Sequence, residues 1–124
     1  MSKPKFDSII VEGVEYVPKS LVKEKSDDLD GMPYKIVRTQ GAGVFAGYVE
    51  KKEGQGVVLR NARRLWYWDG AASLSQLAME GVKKPENCKF PCEVDRVELE
   101  QVIETLDVTK QAQESINNVK IWSM

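Results

Sequence analysis

The chain has 124 residues, 42% hydrophobic and 30% charged, with a formal net charge of −1 and no histidine. That length suits one domain around a single core, and the composition is not that of a disordered chain. Near-neutrality argues against a coat for long nucleic acid, whose affinity rests on phosphate neutralisation, and the missing imidazole removes histidine bases, histidine triads and histidine metal ligands.

In chain order, Ser8 to Val17 reads as a hairpin. Ile9-Ile10-Val11 and Val14-Glu15-Tyr16-Val17 are β-prone, Glu12-Gly13 supplies the turn, and Pro18 ends the second ladder. Lys23 to Asp30 is charged with almost no apolar anchor and reads as a mobile linker. Residues 1–31 therefore form a hairpin arm and linker, and residues 32–124 the main domain. In that domain Tyr34 to Arg38 is a predicted strand, Gly41-Ala42-Gly43 a bend, Val44 to Val49 a second strand and Glu53-Gly54 a turn. Val57 to Leu59 is a third strand, Asn61-Ala62 a bend or bulge, and Arg63 to Trp68 a fourth strand.

Ser73-Leu74-Ser75-Gln76 has the capping-box spacing, so a helix starts after Ser73, turns Leu74, Leu77 and Ala78 to the core, and stops at Gly81. A polar loop, Lys83 to Lys89, leads to strands over Glu93 to Leu99 and Val102 to Leu106, a second helix over Thr109 to Asn117, and a short strand over Val119 to Trp122. The expected class is α+β: an antiparallel sheet flanked by two helices, with an N-terminal hairpin arm. No apolar run approaches the ~20 residues of a membrane span, and no signal-peptide pattern opens the chain, so the cytoplasm is the expected location. Cys88 and Cys92 cannot complete a four-ligand zinc site and are read as reduced thiols.

The densest chemical signal is the stretch Arg60-Asn61-Ala62-Arg63-Arg64-Leu65-Trp66-Tyr67-Trp68. Strand alternation puts Arg64, Trp66 and Trp68 on one face and Arg63, Leu65 and Tyr67 on the other. A cation beside two indoles suits a stacked base with an adjacent phosphate. The strand also runs toward the Ser73 helix start, where free N–H groups favour an anion. The same residues also suit a plain core or a protein-contact hot spot. Asn87, in the polar loop, is a candidate for a base edge or ribose hydroxyl. The acidic series Glu93, Asp95, Glu98, Glu100 and Glu104 has the spacing of solvated strand faces. No catalytic residue, metal ligand or cofactor is expected.

Ala62-Arg63-Arg64-Leu65-Trp66-Tyr67-Trp68, Gly70-Ala71, Ser73 to Ala78, Gly81-Val82, Lys84 to Cys88 and Ile121-Trp122 together resemble a family of small phage and prophage proteins, the first type of Thoeris anti-defence sponge. Val37-Arg38-Thr39, Gly43-Val44 and Gly47 fit the same pattern, so the likeness runs from Tyr34 to Trp122. The resemblance implies an antiparallel sheet embraced by helices, assembled as a homodimer or hexamer. It implies a protein that holds glycocyclic ADP-ribose, the signal made by bacterial TIR-domain proteins, without cleaving it. Some members also bind cyclic di- or trinucleotides at separate sites. Read from the residue types themselves, the expected contacts are Arg60, Asn61, Arg63, Arg64, Trp66, Trp68, Ser73 and Asn87. Arg63 and Arg64 would meet phosphates, Trp66 or Trp68 would stack on adenine, Ser73 and the helix end behind it would add donors, and Asn61 and Asn87 would meet ribose hydroxyls or base edges. The rival expectation is an inhibitor that binds a host defence effector directly.

Overall fold

The computed structural model describes residues 9–11, 14–16 and 24–124. Ile9–Val11 (β1) pairs antiparallel with Val14–Tyr16 (β2), Ile9 opposite Tyr16. The expected Glu12-Gly13 turn and the hairpin limits at Ser8, Val17 and Pro18 lie outside the described residues. Five further strands make one sheet: Tyr34–Thr39 (β3), Val44–Glu53 (β4), Gly56–Arg64 (β5), Glu93–Leu99 (β6) and Val102–Asp107 (β7). Their order is β6-β5-β4-β3-β7, every pairing antiparallel. Leu74–Glu80 (α1) and Lys110–Asn118 (α2) are the two helices; Ser73 caps the first as predicted, and Thr109, expected inside the second, is its cap. The fold is α+β.

The sheet is strongly curled. β6 and β7 lie at opposite edges, yet only Glu100 and Gln101 join them. Neighbouring strands sit ~4.8 Å apart, so a flat five-stranded sheet would separate its edges by ~19 Å. A two-residue link spans about 10 Å. The difference is absorbed by the long β4–β5 hairpin, which carries register shifts at Ala46/Tyr48 and Val49/Lys51 and folds across the sheet. Its tip reaches the start of β7, where Val102 N donates to Gln55 O at 2.9 Å.

Each sheet face then has its own core. Val37, Phe45, Val57, Leu59, Ala62, Leu99 and Val102 fill the space inside the folded hairpin. Tyr34, Ile36, Ala46 and Leu65 meet Leu77 and Ala78 of α1 and Ala112 and Ile116 of α2 on the other face, with Phe90 beneath.

Four expectations need correction, three of them about strands. The predicted third and fourth strands are one strand, β5. Tyr48 opposes Arg60 and Ala46 opposes Arg63, so Asn61 and Ala62 together face Gly47 in a bulge, with Asn61 at φ 50°. A Cβ on Gly47 would stand 3.0 Å from the Ala62 Cα and 3.1 Å from Arg60 O, so a larger residue would press on the backbone of the bulge. The expected continuation to Trp68 fails because β4 runs out of partners: Leu65 N reaches Val44 O, the first residue of β4, and the chain then leaves the sheet. Tyr67 afterwards forms a single bridge to Lys89, and the expected strand at Val119 to Trp122 is likewise one bridge, Ile121 to Phe90.

Residues 24–30 are not a free linker. Lys110 N donates to Glu24 O, Ser26 N to Val108 O, and Asp27 N to Gln113 Oε1 at 2.8 Å, laying the stretch along β7 and α2. Backbone pairing does here what an apolar anchor was expected to do.

Candidate functional site around Arg64 and Trp66

The bulge and the end of β5 distribute the arginine–tryptophan stretch. Arg63 opposes Ala46 on the helix-side face, and Arg64 opposes Phe45 on the hairpin-side face. Arg60 opposes Tyr48, which packs toward the helices. Arg60 and Arg64 therefore point from opposite faces, and one small ligand on one face does not meet both.

Arg63 is not a phosphate ligand. It is only 4% exposed and donates to four backbone carbonyls. Nε reaches Pro91 O at 2.9 Å, Nη1 reaches Ile116 O at 2.8 Å, and Nη2 reaches Phe90 O at 3.0 Å and Val119 O at 2.7 Å. Its guanidinium carbon stands 5.5 Å from the Phe90 ring centre. Burial pulls its pKa below the ordinary arginine value, with the Tyr34 and Glu93 side chains opposing that shift. Four carbonyls, two of them at the end of α2, solvate the charge in place of water. The residue is a tie between β5, the 90–91 loop and the end of α2.

Arg64 is exposed. Its guanidinium carbon lies 4.5 Å from the centre of the Phe45 ring, and Nη1 donates to Ala42 O at 3.1 Å in the β3–β4 turn. The expected arginine–indole stack is thus an arginine–phenylalanine stack across the strand pair, which fixes the fork and leaves its remaining N–H groups outward. Trp66 is 63% exposed, a large apolar side chain with most of its surface in water. Trp68 does not share its face: half-buried, it packs against the helix-side core. The cause is the lost ladder after Leu65, since alternation holds only while the strand does.

Ser73 and Asn87 are committed within the chain. Ser73 Oγ accepts from Gln76 N at 3.1 Å, and Gln76 Oε1 accepts from Ala72 N at 2.8 Å. The start of this seven-residue helix is closed by its own side chains and is not the expected anion cradle. Asn87 sits in a single 3₁₀ turn, Pro85–Asn87, and donates to Asp69 Oδ2 at 3.0 Å. Asn61 is held in the bulge. Arg60 donates to Asp95 O and pairs with Glu50, which also meets Arg96 at 3.3 Å. Cys88 and Cys92 are free; burial raises the Cys88 thiol pKa, and Asp69 N donates to its sulfur.

Of the eight predicted contacts, Arg64 at the end of β5 and Trp66 two residues beyond it are the exposed ones in this stretch. Sequence reading passed over Phe45, which positions Arg64, because its register opposite Arg64 appears only once the bulge is placed. It also passed over Lys89, whose ammonium stands 5.9 Å from the Tyr67 ring centre and 5.7 Å from that of Trp122. The signal for that cluster was present in the aromatic residues, but its three members come from separate segments.

Among the described residues no helix is long and apolar enough to cross a membrane, and no group of three or more carboxylates or thiols is placed to hold a metal ion. A family model described as Domain of unknown function (DUF6948) matches residues 32–116. No curated protein and no solved structure matches the chain.

Proposed function

The chain belongs to the DUF6948 family, and from that premise we propose that it is a capture protein, one that holds glycocyclic ADP-ribose on the face around Arg64 and Trp66 and lets it go chemically unchanged. The observation that carries this reading is the exposed Trp66 indole two residues along the chain from a guanidinium held in place by Phe45. An indole left in water offers a flat face on which a base can stack. A fixed guanidinium fork suits a diphosphate. The ligand brings an adenine, two riboses and a diphosphate, so it needs a flat partner and a cation at short range. A cyclic ligand of roughly 35 heavy atoms at ~0.3 kcal/mol each reaches about −10 kcal/mol, or tens of nanomolar.

The resemblance in Arg63-Arg64-Leu65-Trp66-Tyr67-Trp68 supports the same reading and supplies its setting. A phage protein in the bacterial cytoplasm, working as a homodimer or hexamer, would remove the TIR-made signal before it activates the Thoeris effector. Cyclic di- or trinucleotides are a second cargo under this reading. The exposed Trp66 and Tyr67 also favour the rival, a direct inhibitor of a defence effector, because such side chains dominate protein contacts.

One experiment separates them. The protein is mixed with pure glycocyclic ADP-ribose, filtered, washed and heated, and the released small molecule is analysed by mass. Capture predicts retention on the parent and intact ligand after heating. Arg64→Ala and Trp66→Ala proteins, with melting temperatures close to the parent, should each lose about tenfold or more in affinity, as expected for a charge-assisted or stacking contact. A parent that retains nothing refutes capture and leaves the inhibitor. Cleaved ligand refutes passive holding, and full retention by both variants moves the site elsewhere.

A further inference from the structure

Tyr67 and Lys89 exchange both backbone hydrogen bonds, at 3.3 and 2.7 Å, which sets their side chains side by side. Trp122 N donates to Phe90 O at 3.0 Å, bringing the stretch after α2 alongside the same loop. Arg63 holds both of these partners, through Phe90 O and Val119 O. The Lys89 ammonium, in reach of both rings, has no carboxylate within ion-pair distance among the described residues. Tyr67 is 51% and Trp122 39% exposed, so both rings are open to a ligand. Trp122 also walls a groove of about 430 Å³ with Pro85, Glu86, Cys88, Lys120, Ile121 and Ser123.

A lone ammonium over exposed rings is weakly held. The contact is worth about two- to fivefold in an equilibrium, whereas a nucleobase on an aromatic ring is worth about five- to 150-fold. A base therefore displaces the lysine from the rings. The lysine stem is flexible and its head is a compact cation, suited to a phosphate on the same ligand. We infer that Tyr67 and Trp122 are base-stacking residues of the capture site and that Lys89 is a placeholder, lying against the rings in the empty protein and turning to the ligand's phosphate when the base arrives. This rests on the capture reading, and Tyr67 follows Trp66 directly in the chain. It adds residues from three segments to the nucleotide surface and makes binding depend on the stretch after α2.

The test follows the Lys89 side-chain methylene signals by NMR in the full chain, with two probes used separately: glycocyclic ADP-ribose and adenosine monophosphate. In the empty protein, ring currents from Tyr67 and Trp122 should hold the Lys89 ε-methylene upfield of an ordinary lysine. Saturation with either probe should return it to the ordinary position. Trp122→Ala and Tyr67→Ala should weaken binding about tenfold, within the range for one stacked base. Trp122→Phe should restore most of it, and Lys89→Met should weaken binding and flatten its salt dependence. If glycocyclic ADP-ribose saturates the parent while the Lys89 signals stay fixed and Trp122→Ala binds normally, the placeholder is wrong and capture stands. If that ligand does not bind but adenosine monophosphate moves Lys89, the stacking residues stand and the cyclic signal is the wrong ligand. If neither probe moves Lys89, the inference fails.

Discussion

Replacing Arg63 with alanine should unfold the protein at a much lower temperature. Four carbonyls accept from this guanidinium. Two of them keep another donor in the variant: Phe90 O still accepts from Trp122 N, and Ile116 O from Val119 N. Pro91 O and Val119 O have no other donor among the described residues. An orphaned buried carbonyl costs roughly 1–3 kcal/mol, and with Val119 O buried and Pro91 O part-buried the pair costs about 3–4 kcal/mol. Loss of the packed arginine stem adds to this, and relief from burying a cation subtracts from it. In a domain of this size 1 kcal/mol moves the melting temperature by ~4 °C, so Arg63→Ala should melt about 15 °C below the parent. Arg63→Lys, with fewer and less directed donors, should recover part of the loss. Thermal melts followed by circular dichroism at neutral pH measure both. A ligand-contact arginine would behave in the opposite way, with an unchanged melt and lost retention. An Arg63→Ala protein melting within about 3 °C of the parent refutes the argument, since about 1 kcal/mol is too little for two stranded carbonyls.

Gly70 stands at φ 88°, and a Cβ there would lie 2.4 Å from Lys84 N and 2.5 Å from Lys83 N. Gly70→Ala should therefore cost about 3 kcal/mol from backbone strain plus overpacking, while Gly41→Ala, with open space around it, should stay within about 0.5 kcal/mol in urea titrations. Burial, with the neighbouring Tyr48 and Glu93 charges adding, raises the Tyr34 phenol well above the ordinary ~10. The unfolded chain then gives up this proton first, so Tyr34's contribution is complete below pH ~10 and is lost as pH climbs toward the folded value. The urea midpoint should fall across that window, and Tyr34→Phe should remove part of the fall; equal pH dependence in both proteins would refute the assignment.

The elements were largely legible because each carried a local cause. Ser73 and Thr109 begin helices where a side-chain oxygen can accept an early N–H, and Gly81 ends one at φ 80°. The bulge at Asn61-Ala62 was legible too, but its consequence was not. Whether β5 is one strand or two depends on Gly47, fourteen residues earlier, offering room for two residues opposite one. The candidate site was legible as composition and only partly as geometry. Alternation correctly separated Arg63 from Arg64, yet nothing local distinguishes a guanidinium facing carbonyls from one facing water. Those carbonyls belong to residues 27 to 56 positions further along the chain. Trp66 and Trp68 parted because the neighbouring strand stops at Val44, a fact of pairing rather than of spacing. The placement of β7 beside β3 could not be read from the two residues joining it to β6, since short links usually join neighbours.

The curl does not quite become a ring. Among the described residues, β6 and β7 each keep one border without a strand beside it. Such a border invites another chain to add itself, and repetition of that step builds fibres. Glu93, Asp95, Arg96 and Glu98 crowd one border with solvated charge, and Glu104 and Asp107 mark the other. Any newcomer would have to strip water from those ions before its backbone could pair, which disfavours the first step of such growth.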